Sequence, residues 1–142
     1  MGNRAVITTQ NNFDNNGVGV YLHWNGGRDS VRAFLAYCDI QGYRCLESDD
    51  CGWARLCQVI GNFFGGSCSI GIDTIDHLDC DNYDNGVYII EDWKIVGRKY
   101  IPENFEEQDE YDLLEFLRAI NDEMPERLRI EDEKLVAYAQ GA

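Results

Sequence analysis

Between Gly17 and Gln41 the hydrophobic period of the chain changes from two residues to 3.6, and this change constrains the fold more than any other feature. From Gly17 to Trp24 (GVGVYLHW), Val18, Val20, Leu22 and Trp24 share one face while Tyr21 and His23 share the other. That alternation belongs to a half-buried strand. From Asp29 to Gln41, Val31, Phe34, Leu35 and Cys38 fall at i, i+3, i+4 and i+7, the single apolar stripe of a helix. The corner between them reads Asn25-Gly26-Gly27-Arg28, with Asp29 or Ser30 placed to cap the helix and Gly42 placed as its C′ glycine. A strand that turns on glycines into a core-facing helix needs a sheet with helices packed against it.

The rest of the chain fits that requirement. Arg4 to Thr9 reads as a strand, joined to the first by the polar, turn-forming QNNFDNNG, and the two form a hairpin. A second helix runs from about Asp50 to Phe64 with Trp53, Leu56, Cys57, Ile60 and Phe64 on its stripe, and Gly65-Gly66 ends it. Cys68 to Asp73 alternates as a strand; Val87 to Ile90 and Trp93 to Tyr100 form a hairpin around Glu91-Asp92. A third helix, roughly Gln108 to Met124, turns Leu113, Phe116, Leu117, Ile120 and Met124 inward, and the tail from Glu126 is a short strand or a loose end. The expected fold class is α+β, an antiparallel sheet of about five strands with three helices packed against it. At 142 residues the chain is expected to be a single domain, 1–142, with an acidic C-terminal helix and tail over 101–142.

Charge limits the function classes. The net charge is −14, and from Ile101 onward 13 acidic residues face four basic ones. Such a field repels nucleic acid and acidic membranes and draws basic partners. Lys and Arg are absent between Tyr100 and Asp122 apart from Arg118, so the carboxylates of the third helix lack i, i+4 partners and repel one another. A solvated face is one explanation, and a surface that imitates the phosphate spacing of nucleic acid is the other. No apolar run is long enough to span a membrane and no apolar export segment is present, so the expected location is cytoplasmic, with the six cysteines reduced.

Other candidate sites are weaker. The corner YLHWNGGRDS could cradle a small anion or nucleotide through Trp24 and Arg28 at a helix N-terminus, yet it lacks P-loop and G-x-G-x-x-G spacing. Neither His23 nor His77 stands in a catalytic motif, so His23 reads as a sheet-face residue with one hydrogen bond. Cys38 and Cys57 lie on helical stripes and read as core. Cys45, Cys51, His77 and Cys80 have the residue types of a zinc site without its spacings. The loop DHLDCDNYDNG is rich in oxygen ligands but does not fit the EF-hand pattern, and it reads as a polar loop entering an Asn85-Gly86 turn.

The strings MGNRAVIT, YLHWNGGRDSV, GWARLCQVIGNFFGG and DNGVYIIEDWKIVGR resemble a family of small, mostly uncharacterised proteins of phages and mobile elements of Gram-positive bacteria. The resemblance covers roughly residues 1 to 100. It brings no catalytic residues and no cofactor. It implies a context in which small acidic proteins inhibit host defences, with anti-CRISPR proteins the leading case. The expectation is therefore a non-enzymatic, acidic inhibitor of a basic nucleic-acid-handling partner such as a CRISPR effector, in the cytoplasm of the bacterial host. It would bind no nucleic acid directly and no membrane. Glu106, Glu107, Asp109, Glu110, Asp112, Glu115, Asp122 and Glu123 would carry recognition. The alternative is a module that sequesters a small anion or nucleotide at the Trp24–Arg28 corner.

Overall fold

The computed structural model describes residues 3–66, 69–107 and 109–141. Its elements run β1 (Ala5–Thr8), α1 (Gln10–Asp14), β2 (Val18–Leu22), α2 (Arg28–Ile40), α3 (Asp50–Phe63), β3 (Ile70–Thr74), β4 (Val87–Glu91), β5 (Lys94–Lys99), α4 (Leu113–Asp122) and α5 (Asp132–Gly141). The class is α+β.

The five strands form one sheet in the order β3-β2-β1-β4-β5. The expected all-antiparallel arrangement fails at its centre, where β1 and β4 run parallel, Val6 opposite Val87 and Thr8 opposite Ile89. Alternation marks which residues are strands and which face they show, but neighbouring strands are chosen by the crossover. Here α2, α3 and β3 lie between β1 and β4, and a connection of that length permits parallel pairing.

The expected stripes form the core. On α2, Val31, Phe34 and Cys38 are fully buried and Leu35 nearly so. Phe34 is the hub of an aromatic cluster, with ring centroids 5.6 Å from Phe63, 6.3 Å from Phe64 and 5.7 Å from Phe116. The sheet buries both faces in part. Val20 and Leu22 join the helices, while Val6, Val87 and Ile89 form a second cluster covered by Phe13, Tyr21, Ile75, Leu78 and Cys80.

Several boundaries move for local reasons. The polar connection after β1 contains the short helix α1, capped by Thr9, whose Oγ1 accepts from the Asn12 N–H at 3.2 Å. The β4–β5 turn is Asp92-Trp93, both at positive φ (50° and 60°), one residue later than the pattern suggests. Trp93 is held there by burial and by its indole N–H, which donates to the Tyr43 carbonyl at 3.0 Å. Trp24 lies past the end of β2 and is 43 % exposed rather than inward. Cys68, expected in the third strand, lies outside the described residues.

The tail is a helix, α5, held by fully buried Leu135 and by Ile130 just before it. The acidic helix, in turn, starts at Leu113 and not at Gln108, which lies outside the described residues. Asp112 is its N-cap, with Oδ1 accepting from the Glu115 N–H at 2.7 Å. Tyr111 packs on Phe116 with centroids 5.0 Å apart, so the start combines a side-chain cap with a hydrophobic staple. Glu106, Glu107, Asp109 and Glu110 are therefore loop residues.

Candidate functional site

The corner that joins β2 to α2 is fastened by the backbone. The Asn3 N–H donates to the His23 carbonyl at 2.9 Å, and the Gly26 N–H donates to the Asn3 carbonyl at 2.9 Å. A Cβ on Gly26 would come within 2.4 Å of that Asn3 oxygen, so only glycine permits the approach. The buried Tyr88 hydroxyl donates to the Gly26 carbonyl at 2.7 Å, tying β4 to the corner. His23 accepts or donates one hydrogen bond, Nδ1 to the Tyr21 hydroxyl at 2.9 Å, and stacks edge-on with Trp24.

Trp24 and Arg28 do not form one site. Arg28 lines two cavities, each with Arg32, and Trp24 lines neither. Gly27 is the N-cap and supplies no side chain. Asp29, in the first turn, closes part of the helix N-terminus and reaches beyond it. Its Oδ1 accepts from the Ser30 N–H at 2.7 Å, and its Oδ2 accepts from the N–H groups of Glu110 and Tyr111 at 2.9 and 3.0 Å.

Those last two bonds pin the acidic loop. Its second anchor is Arg98, a mostly buried guanidinium on β5 that pairs with Glu107 and donates to the Asn85 carbonyl at 3.0 Å. Arg98 also stacks over the Tyr88 ring at 4.1 Å. Of the eight carboxylates that charge patterning singles out, Glu107 is thus an anchor and Asp112 a helix cap. Glu106, Asp109, Glu110, Glu115, Asp122 and Glu123 are exposed, and their carboxylates make no hydrogen bond or ion pair among the described residues.

A cavity of about 670 Å³ lies at the carboxyl ends of the parallel pair β1 and β4. Open sheets favour ligand crevices at such a position. It is lined by Thr9 to Asn12 after β1, by Ile89 to Glu91 at a register shift in β4, and by the segment that leads into α3. Glu47, Asp49, Asp50 and Glu91 line it with Trp53, and no Lys or Arg does. Its charge suits a cation. Glu47 and Asp49 are partly committed, Glu47 to the Asp92 N–H at 2.9 Å and Asp49 to Arg44 at 2.6 Å. The Arg44 hydrogen bond holds the Asp49 carboxyl below the usual range.

The zinc candidates are not assembled. Cys45 Sγ contacts the Ser48 hydroxyl at 3.0 Å, Cys51 sits exposed in the first turn of α3, and Cys80 Sγ donates to the Ile75 carbonyl. His77 Nδ1 lies 3.5 Å from both Asp73 and Asp76 on the far side of β3. No group of three or more His, Cys, Asp or Glu side chains among the described residues could hold a metal ion. The oxygen-rich loop before β4 is organised by an amide. Buried Asn82 accepts through Oδ1 from the N–H groups of Asp84, Asn85 and Gly86, and donates to the carbonyls of Asp79 and Gly86. Arg4 closes the same loop through Asp84 at 2.9 Å and Asp79 at 3.3 Å.

No family model, curated protein or solved structure matches the chain. Among the described residues no helix is long and apolar enough to cross a membrane. Two features escape the sequence reading. Arg32 repeats the charge of Arg28 at i+4, a spacing visible in RDSVR. The acidic cleft draws on five separate segments, around Thr9–Asn12, Val18, Leu46–Trp53, Ile89–Glu91 and Val96, which no local pattern joins.

Proposed function

We propose that the protein is a non-enzymatic binding protein that inhibits a basic, nucleic-acid-handling host-defence partner, with a CRISPR effector as the leading case. The observation that supports this reading is the set of six exposed carboxylates between Glu106 and Glu123 without a cation partner. In a stable fold such charges are usually offset by neighbouring Lys or Arg, and a row left unpaired is available to a basic surface. The loop part of the set is pre-positioned. Asp29 holds Glu110 and Tyr111, and Arg98 holds Glu107, at the end of the sheet, so little ordering entropy would be lost there on docking. The choice of a CRISPR effector follows from the resemblance to phage and mobile-element proteins, and a positively charged nucleic-acid channel is the complementary surface.

The test is competition between the protein and target DNA for an assembled effector, read by fluorescence anisotropy at rising salt. Inhibition should weaken as salt screens the contact. The triple variant Glu106→Lys, Asp109→Lys, Glu110→Lys should abolish it, because all three side chains are exposed and free. Asp112 is left intact because it caps α4. Undiminished inhibition by the triple variant would overturn the assignment.

A further inference from the structure

Arg28 and Arg32 stand one turn apart on the exposed side of α2, and neither makes a hydrogen bond or ion pair among the described residues. Lys99, Arg127 and Lys134 likewise make no side-chain hydrogen bond or ion pair among the described residues, but none of them lines any of the cavities described above. The arginine pair lines two. One cavity, about 220 Å³, has Leu35, Ala36, Trp93 and Ile95 as apolar lining, with Lys94 and Tyr138 beside them. The other, about 170 Å³, includes Asp109 and Asp112, yet neither carboxylate reaches ion-pairing distance of the guanidinium groups.

This placement is unfavourable on its own. Like charges at i, i+4 repel, and Arg28 in the first turn faces the positive end of the helix dipole. The neighbouring carboxylate, Asp29, is committed to Ser30 and to the acidic loop. Lys94, the third cation of the larger cavity, is neutralised by Asp39 at 3.1 Å and held by the Tyr138 hydroxyl. Two uncompensated guanidinium groups thus border an apolar recess, in a chain with acidic residues to spare.

We propose that the cavity between α2, β5 and α5 binds a small organic anion with an apolar body. Arg28 and Arg32 hold its carboxylate or phosphate head, for which the guanidinium fork has matching geometry. The body packs on Leu35, Ala36, Trp93 and Ile95. At about 220 Å³ the recess falls below the ~300 Å³ at which cavities for larger ligands begin, so the ligand is a fragment and not a dinucleotide. This site is independent of the acidic surface, and either assignment stands without the other.

The experiment is a heteronuclear NMR titration with benzoate, phenyl phosphate, inorganic phosphate and benzylamine, each to roughly 10 mM. Benzoate or phenyl phosphate should give saturable shifts at Leu35, Ala36 and Ile95, and the tighter of the two identifies the head group. Benzylamine should give none. Arg28→Gln with Arg32→Gln should weaken binding at least about tenfold, the effect of losing charge-assisted hydrogen bonds. Both positions are exposed, so the fold should persist by circular dichroism, and Arg127→Gln should leave binding unchanged. Three results would each overturn the proposal: no saturable shift from either aryl anion, binding unaltered in the double variant, or inorganic phosphate binding as tightly as phenyl phosphate.

Discussion

Asn82 shows how one side chain can replace the cation that an oxygen-rich loop invites. Its amide is 1 % exposed and makes five hydrogen bonds to the backbone between Asp79 and Gly86. Carbonyl and carboxylate density alone suggests a metal loop, but the amide supplies both donor and acceptor where an ion supplies only charge. Asn82→Ala should lower unfolding stability by on the order of 3 kcal/mol, since three N–H groups lose their acceptor. Urea denaturation checks this, with Tyr83→Ala at a 78 % exposed neighbour as the control that should change little. Asp29 makes the complementary point. A residue that satisfies a first-turn N–H with one oxygen uses the other to join α2 to a loop 81 residues away.

At the scale of elements, two of the contacts that fasten α5 differ in magnitude. The Arg118–Asp132 pair is bidentate at 2.9 Å, but both side chains are at least half exposed, so water screens most of its value. Leu135 is fully buried. Leu135→Ala should therefore cost about 2–5 kcal/mol in chemical denaturation, whereas Arg118→Ala should move the denaturation midpoint far less. Elements with a clean period, β2, α2 and α3, were legible to within a residue or two. LVAYA in α5 has no apolar period, so its helix was invisible until Leu135 found a core to enter. The start of α4 was written in the sequence as YDLLEF, a staple and cap, but the run of acidic residues before it carried the helix too far upstream. The parallel pairing of β1 and β4 had no local signal at all, because residues 81 apart decide it. The candidate site divides in the same way: the free carboxylates follow from charge spacing, whereas the arginine-bordered recess needs α2, β5 and α5 together.

For the whole molecule, acid should act through the paired carboxylates. Burial pushes the Asp84 carboxyl up, but its hydrogen bonds with Arg4 outweigh that and hold it below the usual range. A carboxyl depressed by folding contributes its full stability above the unfolded pKa of about 3.9 and loses it as pH falls through the folded value. The melting-temperature difference between the protein and Asp84→Asn should accordingly be constant near neutrality and shrink below about pH 4. Thermal melts at several pH values check the sign. The two ends of the sheet also carry different chemistry. The acidic loop lies by the amino ends of β1 and β4, next to Asn3 and Asn85, and the carboxylate-lined cleft lies at their carboxyl ends.

The central parallel pair has a consequence for synthesis. β1 leaves the ribosome well before β4, and all four of its residues are buried in the finished protein. One edge can be satisfied early by β2, but the other waits for Val87 to Ile89. At ~5–20 residues per second that wait is roughly 4–16 s. Through this interval the nascent chain carries an open, apolar strand edge beside a negatively charged body still to come. The acidic stretch from Ile101, which follows β4 and β5 in the chain, arrives just after the edge is closed.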